Sequence, residues 1–226
     1  MEEKRIAGVK AAEYIKDGYV LGLGTGSTAY YMIKQVGELV GQGLRIQAVA
    51  TSVSSANYAK EFGIPLLEID EVQHIDLALD GVDEIDPQFN AIKGGGGALF
   101  REKMVASRAK EVIWMMDDSK LVDAIGAFAL PVEILPYGYT HILKQMEELG
   151  LQPVLRQRDG ATFVTDNGNY IADLHIGKPM DIDAVRAQLA ALTGVLETGL
   201  FLNMCDRIVV GAKDGVRVIE NLNKAR

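Results

Sequence analysis

The sequence predicts an α/β fold, a mostly parallel sheet with helices on both faces, joined to a smaller α+β module. Three observations carry this prediction. From Tyr19 to Met116, short apolar runs that read as strands alternate with segments of helical periodicity. Beyond Pro131 that rhythm changes to strand, helix, two strands, helix and strand. The glycine-rich, hydroxyl-rich and acidic segments of the first part fall where its strands end, which is where open parallel sheets bind ligands.

Taken in order, Ile6, Val9 and Ile15, with Ala12 between, lie near one face at helical spacing, and Asp17-Gly18 ends that helix with turn chemistry. Tyr19 to Leu23 reads as a short buried strand, Gly22 to Ser27 as a glycine-hydroxyl turn, and Thr28 to Val40 as an apolar-periodic helix. A strand at Ile46 to Ala50, a helix near Ser55 to Phe62 and a strand at Ile75 to Leu79 that stops at Asp80 continue the pattern. The run Gly94 to Gly97 then leads into a helix from about Ala98 to Ala109 and the strand Val112 to Met116.

The later part reads as a strand at Val132 to Leu135, a helix at Thr140 to Leu149, two strands around Phe163 and at Tyr170 to Leu174, a helix at Ile182 to Leu192 and a strand at Val195 to Leu202. Asp166-Asn167-Gly168-Asn169 is a hairpin turn signal between the two middle strands. The order is that of a split βαβ, ferredoxin-like module. Arg207 to Gly211 and Val216 to Ile219 flank the turn Lys213-Asp214-Gly215 and return to the first sheet. The expectation is therefore a Rossmann-like domain over residues 1–130 and 205–226, with a smaller α+β domain over residues 131–204.

Composition narrows the function. With 48% apolar and 24% charged residues the chain is an ordinary globular one. A net charge of −8 without any Lys/Arg block gives no reason to bind nucleic acid or an acidic membrane, so any anion site must be local. The single cysteine, Cys205, excludes an intramolecular disulfide and a cysteine metal cluster, and suits a reducing compartment. The N-terminal residues, charged at Lys4 and Arg5 and again at Lys10, Glu13 and Lys16, contain no apolar stretch of the kind a signal peptide or membrane span needs. The reading is a cytoplasmic protein.

Four segments carry candidate chemistry. Counted from Gly22 the dinucleotide fingerprint fails at Ser27, and counted from Gly24 it ends acceptably at Ala29. The second strand, however, ends in Thr51-Ser52-Val53-Ser54-Ser55, with no carboxylate for a ribose. A helix start with free N–H groups and the hydroxyls of Thr25, Ser27 and Thr28 suits a single phosphate, ahead of a plain turn capped by Ser27. Lys93 followed by Gly94, Gly95, Gly96 and Gly97 is entropically costly unless backbone must approach something closely, and a ligand is the expected reason. Glu102 lies within one or two helical turns of those glycines. On spacing alone, Arg101-Glu102-Lys103 is equally a solvated helix face.

Asp80, Asp83 and Glu84 crowd carboxylates at a strand end, suited to proton transfer or to turn formation. His74, His141 and His175 are scattered, so no metal site is expected. Lys120, beside Asp117 and Asp118, gains meaning only in combination.

Together, Gly22 to Thr28, Asp80 to Glu84, Lys93 to Lys103 and Asp118 to Lys120 resemble the ordered motif set of A-type ribose-5-phosphate isomerases. Leu130-Pro131-Val132-Glu133, Val164 to Asn169, Gly199-Leu200-Phe201 and Asp214-Gly215-Val216 extend the resemblance over nearly the whole chain. The resemblance implies interconversion of ribose 5-phosphate and ribulose 5-phosphate through a cis-enediolate, without cofactor or metal. It implies Glu102 as the base, Asp80 and Asp83 at the sugar hydroxyls and in ring opening, and Lys93 beside the enediolate oxygen. It places the phosphate on Gly24, Thr25, Gly26, Ser27 and Thr28, with Lys120 and Lys4 adding positive charge, and the sugar also against Gly81, Gly94, Gly95 and Gly96. A homodimer, or a dimer of dimers, is expected. Departures are small: Val82 stands for the family's usual alanine and Phe100 for a leucine or threonine, and neither is a charged position.

Other classes make different demands. A sugar-phosphate sensor would bind without turnover and would normally bring a DNA-reading segment. An acyl-CoA transferase-like enzyme would use Glu102 as a nucleophile. A nicotinamide dehydrogenase would need the missing ribose-binding acid.

Overall fold

The computed structural model describes residues 1–224 and divides them into two compact units. The first comprises Met1–Val82, Arg101–Lys120 and the residues from Asn203 on; the second comprises Asp83–Phe100 and Leu121–Leu202. The expected smaller domain, residues 131–204, lies almost wholly in the second unit, which also takes in 83–100 and 121–130. Strand pairing explains the difference. Asn90–Ile92 pairs with Leu200–Leu202 and with Glu84–Ile85, so this stretch is tied to the second unit by a ladder with no advance notice in local periodicity.

The first unit is built on a six-stranded sheet in the order Gly215–Glu220, Arg207–Ala212, Ala109–Asp117, Ile75–Gly81, Val20–Leu23, Gln47–Ala50. All neighbours are parallel except the last hairpin, Gly215–Glu220 on Arg207–Ala212. The order reverses between Val20–Leu23 and its two neighbours, so the loop after that strand occupies a topological switch point. Leu21, Leu23, Leu77, Leu79, Ile113, Met115 and Val209 are buried on the sheet beside Met32, Ile33 and Val36 of the helix Ser27–Gly41.

The first helix, Glu2–Ala12, buries Ala7, Gly8, Ala11 and Ala12, while the aliphatic side chains of Ile6 and Val9 remain half-buried. Close packing is the reason. A Cβ at Gly8 would lie 2.9 Å from the Met32 nitrogen, and one at Gly211 would lie 1.9 Å from the Glu3 carbonyl. Two glycines thus let this helix press against its neighbouring helix and the sheet.

In the second unit the strands Val195–Thr198, Leu130–Ile134, Tyr170–Leu174 and Pro153–Leu155 form an antiparallel sheet in that order. With the helices Tyr139–Glu148 and Ile182–Ala190 this is the expected ferredoxin-like βαββαβ arrangement. Leu130, Val132, Ile134, Ala172 and Leu174 face a core shared with Ile142, Met146, Val185 and Leu189 of those helices. By strand alternation, Pro131, Glu133, Ile171 and Asp173 lie on the opposite face.

Two expectations are corrected here. The turn at residues 166–169 forms, with the Thr165 N–H donating to the Asn169 carbonyl, but the strands on its two sides do not pair. Ala161–Thr162 pairs with Gln157–Arg158 instead, and the side chains of Thr165, Asn167 and Asn169 in the turn donate to buried Glu133. The strand expected from Val195 to Leu202 breaks at Gly199, and its halves join different sheets.

Candidate active site

At the switch point of the first unit, strand Val20–Leu23 ends in a loop whose first residues, Gly24 and Thr25, are held by a dense set of hydrogen bonds. The Gly24 N–H donates to the Leu79 carbonyl (2.9 Å), and the Thr25 N–H to Asp80 Oδ1 (2.9 Å). Thr25 Oγ1 is ringed by the hydroxyls of Thr51 (2.7 Å), Ser52 (2.8 Å) and Ser55 (3.3 Å), while the Ser55 hydroxyl donates to the Gly24 carbonyl (2.6 Å). A Cβ at Gly24 would fall 2.0 Å from Asp80 Oδ1 and 2.5 Å from its Cα, so only glycine permits this approach.

The helix that follows begins at Ser27, with Gly26 (φ +112°) as its N-cap and no side-chain cap. The alternative of a plain turn capped by Ser27 is therefore not what forms. The Ser27 hydroxyl accepts from Lys4 Nζ instead (3.0 Å). With no acidic residue in its first turn, this helix start offers N–H groups and dipole to an anion. Gly26 and Ser27 are exposed; Thr28 is buried, its carbonyl 3.1 Å from the Cβ position of Gly8.

Positive charge gathers beside this loop. Lys4 Nζ lies 4.0 Å from the carboxylate of Asp117, whose strand is followed by a short 3-10 turn carrying Lys120. Burial pushes the Asp117 carboxyl up, but the hydrogen bond from the Ser119 hydroxyl and the charges of Lys4 and Lys120 outweigh it and hold the group below the usual carboxylate range. Asp117 thus stands within ion-pair distance of Lys4 and within the field of Lys120.

Asp80 is buried at the end of strand Ile75–Gly81, its Oδ1 also accepting the Gly81 N–H (2.7 Å). Glu102, in the first turn of the helix Leu99–Arg108, is only 3% exposed, whereas Arg101 and Lys103 on either side are half-buried. The solvated-face reading of Glu102 is overturned. Val105, three residues on and so on the same face, packs where a Cβ of Gly22 would be (2.4 Å), which turns that face to the sheet.

The second unit holds the remaining candidates. Lys93 is 2% exposed; its N–H donates to the Gly199 carbonyl (2.9 Å), and its ammonium stands 5.2 Å from the Phe201 ring centroid. Asp83 Oδ2 accepts the Gly95 N–H (2.8 Å), with the Gly95 Cβ position only 2.8 Å from Asp83 Oδ1. Gly94 is buried at φ +98°, and Gly95 and Gly96 are exposed. Glu84 is occupied differently, accepting the N–H groups of Gly126 and Phe128 (2.8 Å each), so this acid of the crowded trio is a structural one.

Among the described residues no group of three His, Cys, Asp or Glu is arranged to hold a metal ion, and no helix is long and apolar enough to cross a membrane. The family model for ribose 5-phosphate isomerase A (phosphoriboisomerase A) matches residues 47–215. Ribose-5-phosphate isomerase A of Streptococcus mutans is 50% identical over 97% of this chain and 99% of that protein. The chain belongs to the ribose 5-phosphate isomerase A family.

Solved structures agree: a D-ribose-5-phosphate isomerase in complex with phospho-erythronic acid superposes at a TM-score of 0.91 with 37% identity, covering 97% of this chain and 98% of that one. The ribose 5-phosphate isomerase of Plasmodium falciparum gives 0.91 and 35%, covering 96% and 97%. The protein is accordingly an aldose-ketose isomerase that interconverts ribose 5-phosphate and ribulose 5-phosphate. Membership sets aside the sensor, CoA-transferase and dehydrogenase readings.

Two groups of residues in this isomerase hold the loops without belonging to the motifs that the sequence singles out. Thr51, Ser52 and Ser55 counted only as a missing carboxylate, yet they are the ring that fixes Thr25. Their clustering after a strand was the available signal. Arg156, which donates to the carbonyls of Gly94 (2.8 Å) and Gly95 (3.3 Å), had none, being far away in the chain.

Proposed function

We propose that Glu102 is the base of the isomerisation and that the reaction runs without a metal. The burial of this carboxylate on the sheet-facing side of its helix carries the reading, because an acid removed from water is poised to exchange protons with carbon acids. From the open-chain aldose, Glu102 takes the C2 proton, and the electron pair forms the C1–C2 double bond as charge moves to O1. The proton returns to C1, a proton passes from O2 to O1, and the ketose results. Lys93 stabilises the charge on the enediolate oxygen, and Asp80 and Asp83 serve the hydroxyls and ring opening.

The phosphate rests on residues 24–28, with Lys4 and Lys120 supplying cations. Gly81 and residues 94–96 line the sugar. Phospho-erythronic acid, bound by the solved relative, suits the same constellation chemically: its carboxylate sets two oxygens at one planar carbon, as the enediolate does at adjacent carbons. We also read the protein as a cytoplasmic homodimer, in keeping with its acidic charge and a lone buried cysteine. Light scattering of the purified chain tests the dimer.

The deciding experiment follows ribulose 5-phosphate formation from ribose 5-phosphate in EDTA. Glu102→Gln should lower kcat by about 10²- to 10⁴-fold while circular dichroism stays unchanged. Full activity in the variant would remove Glu102 as the base, and loss of wild-type turnover in EDTA would overturn the metal-free reading.

A further inference from the structure

The run of residues 94–97 is the part of the site least able to hold its own shape, since glycine gives up the most backbone freedom on ordering. Something outside the run must fix it. Gly95 is held from one side, its N–H by Asp83 (2.8 Å). Its other side is held from the antiparallel sheet. Arg156 Nη1 donates to the carbonyl of Gly94 at 2.8 Å and to that of Gly95 at 3.3 Å. The same guanidinium is fixed by Asp173, with Nε on Oδ2 at 2.8 Å and Nη2 on Oδ1.

This geometry uses what a guanidinium has and an ammonium lacks: a planar fork that grips a carboxylate along one edge and offers donors along another. Both side chains are largely out of water, at 12% and 19% exposed, so the pair is neither freely hydrated nor strongly screened. The segment bearing Arg156 also touches the far end of the run. The Phe163 N–H donates to the Arg156 carbonyl (2.9 Å), and its ring lies 2.4 Å from the Cβ position of Gly97. Arg158 covers that ring, its guanidinium carbon 4.3 Å from the centroid.

We propose that Arg156, locked by Asp173, is a positioning residue for the isomerisation: it sets the Gly94 and Gly95 peptides, and through them Lys93 and the Asp83 carboxylate, in the arrangement the enediolate requires. The inference rests on the site reading above. It separates two tasks, the phosphate being held by residues 24–28 and the reacting end of the sugar being served by a loop whose shape Arg156 imposes.

The test compares Arg156→Met, Arg156→Lys and Asp173→Asn with wild type in ribose 5-phosphate kinetics, in inhibition by phospho-erythronic acid and by inorganic phosphate, and in amide exchange over residues 93–98. Arg156→Met should lose about 10- to 100-fold in kcat and weaken phospho-erythronic acid by a similar factor, with inhibition by inorganic phosphate unchanged within about twofold. Amide exchange over 93–98 should quicken. Arg156→Lys should recover only part of kcat, and Asp173→Asn should move every readout in the same direction by less.

A folded Arg156→Met with kcat and phospho-erythronic acid affinity within about twofold of wild type overturns the proposal. So does a loss that weakens inorganic phosphate equally, which would mark a general structural role. Where Arg156→Met does not fold, wild-type kcat in Asp173→Asn overturns it. Failure of the site reading is distinguishable, because it shows as full activity in Glu102→Gln whatever the Arg156 variants do.

Discussion

The two glycine loops of this enzyme are stabilised in opposite ways. Residues 24–26 are tied down by neighbouring strand ends: neutral hydroxyls from Thr51, Ser52 and Ser55 and the carboxylate of Asp80, all in the same unit and at short range. Residues 94–97 hold few such ties of their own and depend on a charged fork from Arg156 and on Asp83. On the site reading proposed above, the first loop takes a fixed, fully ionised phosphate and gains from a prebuilt cradle. On the same reading the second serves charge that moves from O1 through an enediolate, and it gains from peptides whose orientation is set by ions, since charge-assisted hydrogen bonds are the stronger ones.

The comparison is most severely tested at Gly24. Its Cβ position overlaps Asp80 at both the carboxylate and the Cα, so Gly24→Ala cannot be absorbed by a side-chain rotation alone. Overpacking of this kind costs about 1–3 kcal/mol, and displacement of the loop should lower kcat/KM by about 10²-fold. Gly26→Ala meets open space and only a strained φ, and should lose much less. Equal losses in the two variants, measured under the same conditions, would show that close approach to Asp80 is not what fixes the cradle.

Thr25→Val gives an intermediate effect and sharpens the division. It removes the hydroxyl on which three others converge, at about 0.5–1.5 kcal/mol for each bond lost. The expected result is a rise of about tenfold in KM and in the inhibition constant of inorganic phosphate, with kcat little changed. A fall in kcat with phosphate affinity intact would assign this loop to the reacting carbons and dissolve the contrast between the loops.

What the sequence made legible follows the same line. The cradle could be read because its parts are local: glycines and hydroxyls at a strand end, before a helix of strong apolar period. Lys93 and its glycines could be read as unusual, though not what holds them, because Arg156 and Asp173 sit among ordinary strand residues with no spacing that announces the fork. The strand Asn90–Ile92 is too short to show a period, and so its membership of the second unit was invisible. At residues 166–169 the turn forms as its residues suggest while the pairing differs, since the chain before the turn pairs with Gln157–Arg158 and the turn's side chains are fixed on buried Glu133, a distant partner with no local signal. The first helix was legible as a helix, but its buried face was not, because Gly8 and Gly211 favour small residues over Ile6 and Val9.

Lys4 is where the smallest effect is expected and where the electrostatics can be read most directly. Its ammonium touches Ser27 Oγ (3.0 Å) and lies near Asp117, so it takes part in the cradle only at the rim and is itself a third exposed. Lys4→Met should therefore raise KM about fivefold, equivalent to about 1 kcal/mol, and leave kcat nearly unchanged. The same substitution removes one of the cations that hold the Asp117 carboxyl low, so its titration, followed by carboxyl NMR, should move upward toward the ordinary carboxylate range. The sign is fixed by the charge removed: the ionised form of Asp117 loses a favourable neighbour, while the protonated form loses nothing. An unmoved Asp117 with a raised KM would mean that Lys4 acts on the phosphate alone and that Lys120 and the Ser119 hydroxyl suffice to hold the carboxylate. A moved Asp117 with unchanged KM would take Lys4 out of phosphate binding and leave the helix start and Lys120 to carry it.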